Sequence, residues 1–298
     1  MSLLGVQPAA AQSQTPLAQA TYVDQAPDID GVLDEPMWRT VPVISDFVQR
    51  EPVDGGTPSE RTEVRIAFDE THLYFGFVLY DSEPELIRRS ILHREGRIDQ
   101  DDHVWIGLDT YGDDRNAYIF ELNPFGTQGD ALFNDESMTL DDWNWEGVYS
   151  SEARITEEGW TLEVAIPFTT IRFSDAVAPE MGIAIRRAIR RKNEEVFWPH
   201  IPQEYRGGMT TVSRYATLTG LRDLRKGRYM ELKPYAIAGR SKLAGQDTDA
   251  LDDIGVDFKY AVTSNLTVDL TYNTDFAQVE ADNVQINLTR FNLFFPEK

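Results

Sequence analysis

Apolar and polar residues alternate along most of this chain at the two-residue period of an extended strand. In "EVRIAFDETHLYFGFVLYD", Val64, Ile66 and Phe68 share one face, a polar turn follows, and Leu73 to Tyr80 form a second, more apolar run. This predicts a hairpin. "HVWIGLDTYGDDRNAYIFELNPFGTQGD" repeats the plan, with Val104 to Leu108 and Ala117 to Leu122 on either side of a turn at Gly112, Asp113 and Asp114. A third pair in "SSEARITEEGWTLEVAIPF" turns at Glu157 to Gly159. "GIAIRRAIRR" reads as a strand in spite of its arginines, because Ile183, Ile185 and Ala188 supply apolar contacts. Helical signals are few. "DEPMWRTV" offers Asp34 as an N-cap with Pro36 in the first turn, and "FTTIRF" offers one further turn. Many short strands broken by Gly, Asp, Asn and Pro predict an all-β antiparallel β-sandwich, jelly-roll-like or immunoglobulin-like, with two facing sheets.

The pattern changes in the last quarter. In "IGVDFKYAVTSNLTVDLTYNTDF", Ile254, Val256, Phe258 and Tyr260 alternate with polar or small residues, and Leu266, Val268, Leu270 and Tyr272 do so after a Thr-Ser-Asn turn. A long hairpin with one apolar and one wet face suits strands of an outer-membrane barrel, and equally a half-buried hairpin of a soluble protein. In "QVEADNVQINLTRFNLFFPEK", Val284, Ile286 and Leu288 fit a strand while Val284, Leu288, Phe291 and Phe295 fit a helix. The row Phe291, Leu293, Phe294 and Phe295 is expected to be buried by further chain. At the other end, "MSLLGVQPAAAQ" reads as the tail of a secretory leader, with Ala9, Ala10 and Ala11 as a cleavage site.

Three of these stretches carry a resemblance. "DIDGVLDEPMW" (Asp28 to Trp38), the hairpin at "EVRIAFDETHLYFGFVLYDSEP" and "GWTLEVAIPF" resemble the family-9 carbohydrate-binding-module-like domain, over roughly residues 20–222. "VSRYATLTGL", "RYMELKPYAIA" and "NTDFAQVEADNVQINLTRFNLFFPEK" resemble the segment that follows this domain in a family of large bacterial outer-membrane proteins ending in a predicted β-barrel. The resemblance implies a sandwich at 20–222 and the start of a truncated barrel at 223–298, with 1–19 left, on its small-residue pattern, as a leader remnant or a disordered segment. It further implies an exported protein of the bacterial outer membrane with its sandwich in the periplasm or on the cell surface. The expected partners are an oligo- or polysaccharide and the chain's own barrel, in glycan binding or catabolism.

Charge narrows the partners. Fifty acidic against twenty-eight basic residues give a net charge of -22, which opposes binding to nucleic acid because phosphates are repelled. With no cysteine there is neither a disulfide framework nor a thiolate or Cys-type zinc site. No run of eighteen apolar residues predicts a transmembrane helix.

A sugar ring presents apolar C–H faces edged by hydroxyls, so its site needs flat aromatic rings beside carboxylate, amide or guanidinium groups. "LDDWNWEGVY" puts Trp143 and Trp145 beside Asp141, Asp142, Asn144 and Glu146, and "EEVFWPHIPQEYRGG" offers Trp198 and Tyr205 near Glu194, His200 and Arg206. Trp38 and Trp160 lie on apolar faces and are expected in the core, whereas Trp105 faces either way. The resemblance implies a ring held between two tryptophans with charged groups on its hydroxyls. The loops differ too much to place those residues individually, and Arg94, Arg97 and Arg115 are the candidate hydroxyl partners.

Acid clusters raise calcium as a cofactor, since loops of a sandwich can gather its oxygen ligands. Asp99, Asp101 and Asp102 are the candidate ligands, with further acids at 113–114 and 134–136, although none has EF-hand spacing and "DIDG" fits a tight turn. Catalytic motifs are missing: there is no serine triad signature, P-loop, HExxH or Rossmann fingerprint, and a glycosidase pair of carboxylates has no mark in sequence. His72, His93, His103 and His200 share no zinc spacing. Three readings follow: a glycan-binding domain, a plug or docking domain for its own barrel, and a haem-binding sandwich ligated by His103 or His200 with Met138 or Met209.

Overall fold

A computed structural model describes residues 16–94, 96–134, 143, 145–174, 176–225, 230–241, 249–263 and 266–273. The chain divides into two units, Met1–Gly227 and Arg228–Lys298. The first is the expected two-sheet sandwich. One sheet has eight strands: β1 (Leu17–Gln19), β4 (Val48–Glu51), β7 (His103–Asp109), β8 (Asn116–Leu122), β9 (Gln128–Asn134), β12 (Met181–Ile189), β13 (Glu194–Trp198) and β14 (Ala216–Thr219). Their order is β1-β14-β12-β7-β8-β9, with β13 paired to β12 and β4. The other sheet has six: β2 (Thr21–Tyr22), β3 (Val43–Ile44), β5 (Thr62–Phe68), β6 (His72–Tyr80), β10 (Ser150–Thr156) and β11 (Gly159–Pro167), in the order β10-β11-β6-β5-β2 with β3 also on β5. Pairing is antiparallel apart from β1 with β14 and β2 with β5.

Alternation sends one side of each strand into the space between the sheets. Val64, Ile66, Phe68, Phe75, Phe77, Leu162 and Val164 meet Val104, Ile106, Leu108, Phe120, Ile183 and Ile185 there, all buried. Each such side chain contributes roughly 1.5–3 kcal/mol of hydrophobic stabilisation. One charge enters this layer. Arg187 of β12 is fully buried and donates to the carbonyls of Arg61 (2.9 Å) and Tyr80 (2.6 Å) and to Thr62 Oγ1 (3.0 Å), tying the two sheets together.

The six-stranded sheet is covered on its outer face too, by the segment from Val23 to Val41 packed on Ala67, Tyr74 and Ala165. Glu163 of β11 anchors this strap by accepting from Trp38 Nε1 (2.9 Å), Asp30 N (3.1 Å) and Gly31 N (2.9 Å). Gly76 leaves room for it, since a Cβ there would stand 3.1 Å from the Trp38 ring and 2.8 Å from Leu33. The "DIDG…W" stretch thus serves packing. The helix expected at "DEPMWRTV" is a single 3-10 turn, Pro36–Arg39, preceded by Glu35 with no side-chain cap. Asp34 does not cap it because the turn starts one residue later. "FTTIRF" forms a turn without becoming a helix.

The second unit is a small antiparallel sheet of β15 (Met230–Ser241), β16 (Asp249–Thr263) and β17 (Leu266–Tyr272). Register sets Leu232, Phe258 and Leu270 side by side, and Pro234, Val256 and Tyr272 in the next row of the same face. Leu232, Ile254, Leu270 and Tyr272 are exposed. No helix among the described residues is long and apolar enough to cross a membrane. The expectations for the leader and for Phe291 to Phe295 fall outside the described residues.

Candidate functional site

The outer face of the eight-stranded sheet carries an unusual row of side chains. Because Val104, Ile106 and Leu108 of β7 point into the core, His103, Trp105 and Gly107 point outward. Pairing places Glu121 of β8 on one side of Trp105 and Arg186 of β12 on the other, with Phe197 of β13 beyond. The Arg186 guanidinium lies over the Trp105 ring, 4.6 Å from its centroid, and pairs with Glu195. Trp143 meets Trp105 edge-on at 6.2 Å and Phe133 at 6.4 Å. Trp105, Trp143 and Arg186 are each half-buried, so solvent reaches the row.

Behind it the chemistry is sealed. His103 is fully buried with Nδ1 2.8 Å from the Asp101 carbonyl. A carbonyl only accepts, so Nδ1 carries the proton and Nε2 is an acceptor. Nε2 stands 3.7 Å from Glu121 Oε1. Burial and the charges of Arg186 and Arg190 hold His103 well below the usual imidazole range, in spite of the Asp101 carbonyl, so the ring is neutral. Burial pushes the Glu121 carboxyl up to about 7; Asp99 adds to the rise, while the Trp105 N–H and the charges of Arg186 and Arg190 oppose it. Besides the Trp105 N–H, which faces Glu121, four buried polar atoms lack a hydrogen-bond partner among the described residues: His103 Nε2, Glu121 Oε1, Arg186 Nε and Arg190 Nε. Buried polar groups are as a rule paired. Sealed as they are, such atoms call for enclosed water to complete them.

The rest of this face is covered by the segment after β13. Ile201, Met209, Val212 and Tyr215 pack on Ala117, Ile119, Ala184 and Phe197. Buried Arg50 pins that segment by donating to the carbonyls of Ile201 (3.1 Å) and Tyr205 (3.0 Å). Gly107 admits Tyr215, whose hydroxyl would collide with any Cβ there.

The residues expected from sequence fall in several places. Trp143 joins the row. Trp145 is half-buried against Tyr118 and Phe120 at the edge of the inter-sheet core. Trp198 lies inside that core, 4% exposed, and Trp38 and Trp160 are buried as expected. Tyr205 is half-buried on the outer-face cluster with Arg214 over its ring at 4.3 Å. Arg97 is exposed and pairs with Asp99 at 3.5 Å. Arg115 and Glu146 are exposed on loops. Arg94 is engaged with Gln128 (2.6 Å), Asp130 (2.6 Å) and the Gly147 carbonyl (2.7 Å). Asp141, Asp142 and Asn144 lie outside the described residues, as does Met138.

The three proposed calcium ligands do not converge. Asp99 is exposed. Asp101 is buried and accepts from Ser90 N, Ser90 Oγ, Ile91 N and Asn123 Nδ2, so its lone pairs hold a loop to the end of β8. Asp102 accepts from Arg190 N (2.8 Å), and burial pushes it up to about 6. Among the described residues no group of three or more His, Asp or Glu side chains is arranged to hold a metal. For haem, His103 is sealed and bonded as above, His200 contacts Asp54 at 2.9 Å, and Met209, in the covering segment, is buried against the sheet.

Sequence reasoning missed Glu121, Arg186 and Arg190. The available signal was phase: in "AYIFEL" and "AIRRAIRR" Glu121 and Arg186 interrupt apolar strands at outward positions.

The model of the carbohydrate family 9 binding domain-like family matches residues 29–195, and that of a domain of unknown function, DUF5916, matches residues 228–298. Among solved structures, a family 9 carbohydrate-binding module from Caldicellulosiruptor kristjanssonii in complex with glucose has a TM-score of 0.50 at 14% identity, covering 71% of this chain and 96% of that one. A candidate carbohydrate-binding protein from Bacteroides uniformis has a TM-score of 0.52 at 14% identity, covering 69% of this chain and 99% of that one. At these identities the likeness is one of fold. No curated protein matches the chain.

Proposed function

The chain belongs to the carbohydrate family 9 binding domain-like family, and from that premise we propose that it binds a sugar on the outer face of its eight-stranded sheet. The observation that carries this reading is the pair of half-buried indoles, Trp105 and Trp143, meeting edge-on with the Arg186 guanidinium over the first, on an outer face that solvent reaches. The hydroxyls of a pyranose both donate and accept. They can meet polar groups at the rim of this row while the apolar ring face rests on the exposed parts of Trp105 and Trp143. No catalytic role is assigned, because Glu121 is the face's only strongly perturbed acid among the described residues and it is buried between the Trp105 N–H and a neutral histidine.

The first ligand to try is a gluco-configured sugar, the kind seen with the module from Caldicellulosiruptor kristjanssonii. Trp105→Ala and Trp143→Ala should each weaken binding on a glycan array or a polysaccharide column by about tenfold or more, a loss of roughly 1.4 kcal/mol per factor of ten. Full retention by both variants would exclude this face as the site.

The second unit is read as the beginning of an outer-membrane barrel, which makes the sandwich an exported domain. Its support is the exposed apolar face. β15 has 12 residues and β16 has 15, beyond the 9–11 or so that a tilted membrane strand needs.

A further inference from the structure

One loop gathers both positive charge and exposed apolar surface. The connection between β6 and β7 contains "RRSILHREGR", Arg88 to Arg97, with four arginines and one glutamate, in a chain whose net charge is -22. Arg88, Arg89, His93, Arg94 and Arg97 are all exposed. Arg94 pairs with Asp130 and Arg97 with Asp99, whereas Arg88 and Arg89 have no ion pair among the described residues. Of the acids flanking this stretch, Glu83 is paired with Arg191, which leaves Glu85. Leu86 and Leu92 of the same loop are 51% and 72% exposed, and Phe125, 38% exposed, joins them from the β8–β9 turn. Arg89 lies over the Phe125 ring, 5.2 Å from its centroid. Arg94 donates to the Gly147 carbonyl (2.7 Å), next in the chain to Val148, which is 73% exposed.

The loop is held in shape from beneath. Asp101 accepts from the backbone N–H groups of Ser90 and Ile91, both at 2.8 Å, and the Ile91 carbonyl accepts from Asn123 Nδ2 and Thr127 Oγ1, again at 2.8 Å. Asp102 N donates to the Arg88 carbonyl at 2.9 Å, and Ile87 and Ile98 are buried. None of these anchors uses the side chains of Arg88, Arg89 or Leu92, so the fold does not explain why those residue types stand there. Single exposed apolar residues are ordinary. Aliphatic and aromatic tips interleaved with guanidinium groups are the composition of a surface that lies at the headgroup level of a bilayer, where the tips enter the acyl boundary and the cations meet phosphates. A glycan suits this surface less, because leucine offers a sugar ring no flat face. The negative charge elsewhere in the chain does not forbid the contact: at physiological salt charges are screened over about 8 Å, so the nearest groups decide.

We propose that this loop, with Phe125 beside it, docks the sandwich on an anionic bilayer surface. Arg88 and Arg89 meet the headgroup phosphates, and Leu86, Leu92 and Phe125 enter the interface. The docking surface is separate from the sugar-binding row and stands or falls independently of it.

Flotation of the full chain with vesicles of phosphatidylcholine alone, and of phosphatidylcholine mixed with phosphatidylglycerol, at about 0.15 M salt, tests this. Apolar surface on the second unit acts on both kinds of vesicle, so the difference between them is the readout. The mixed vesicles should bind about tenfold more tightly, and the double variant Arg88→Gln, Arg89→Gln should lose most of that excess. Leu92→Ser should weaken binding to the mixed vesicles several-fold. All of these variants should keep the parent melting temperature, and Arg222→Gln, at an exposed position past β14, should keep the parent binding. Equal binding to the two kinds of vesicle overturns the proposal, as does an excess that the double variant retains. Soluble polygalacturonate bound alike by the parent and Leu92→Ser, but not by the double variant, makes an acidic glycan the occupant and overturns the lipid assignment. A concentration-dependent dimer that the double variant abolishes gives the surface to a second copy and overturns it equally.

Discussion

Arg187 is the buried charge that bridges the two sheets of the sandwich. It is fully buried, makes three bonds across to the other sheet, and has Asp102, Asp81, Glu60 and Glu194 around it. Arg187→Ala removes the cation and its three bonds to the other sheet, leaving Asp81 and Glu60 to Arg191 and Lys192; breaking a buried charge network of this kind costs about 3–5 kcal/mol. Chemical denaturation should show the loss, and a midpoint shifted by less than about 1 kcal/mol would mean that water takes over the role of the guanidinium. In the sequence Arg187 was visible only as a charge within an apolar strand, because alternation gives the phase of a residue and not what waits on the other side. The same limit applied to Trp105. Its outward orientation follows from Val104 and Ile106 pointing in, yet its neighbours Glu121 and Arg186 come from strands 16 and 81 positions away, and only register brings them together. Trp198 shows the converse: a tryptophan in a polar-looking stretch is drawn into the core because β13 pairs with β12.

At the scale of elements, the long hairpins were legible and the short strands were not. β5–β6, β7–β8 and β10–β11 have seven to nine residues each with clear turns between them, enough for a period of two to declare itself. β2 and β3 have two residues each, too few to hold any period. β9 was hidden because Gly129 and Asp130 break its apolar pattern. Gly129 lets Ile98 and Glu121 approach, and the Asp130 carboxylate serves Arg94. The β16–β17 pair matched the sequence pattern closely, with Thr263 opposite Leu266, and its amphipathic face leads to a prediction. From Ile254 to Tyr260 the apolar side of β16 runs for about 20 Å at roughly 3.4 Å per residue, close to the apolar band of a membrane barrel. If that face meets lipid, Ile254→Lys and Leu270→Lys should sharply reduce association of the full chain with phospholipid vesicles in a flotation assay. Substituting Asp269→Asn, on the opposite face by register, should not. Equal flotation of all three variants would remove lipid as the occupant of this face.

For the molecule as a whole, pH is the variable to which its charges commit it. Glu121 and Glu163 are raised to about 7 and Asp102 to about 6, each first of all by burial. A raised carboxyl binds its proton more tightly in the folded state, so its contribution to stability is complete below the ordinary value near 4 and is lost as pH climbs through 6 and 7. Glu60 goes the other way. It is lowered to about 2 as Lys192 and Ser82 outweigh its burial, and Asp101 and Asp69 are lowered by their hydrogen bonds. These contribute above the ordinary value and lose their effect as pH falls from 4 toward 2. The two sets leave a stability maximum near pH 5. Net charge reinforces the alkaline slope, since the repulsion of -22 charges at pH 7 fades toward the isoelectric point near 4.5. Differential scanning calorimetry at low protein concentration, needed because solubility is least near that point, should find a Tm about 5–10 °C higher at pH 5 than at pH 8, given roughly 2–4 °C per kcal/mol in a domain of this size. Glu121→Gln, which keeps the neutral form at every pH, should flatten part of that slope. A Tm that rises steadily from pH 5 to 8 would mean that these carboxyls are ionised in the folded protein. The sandwich would then owe its tolerance of them to solvent, not to burial.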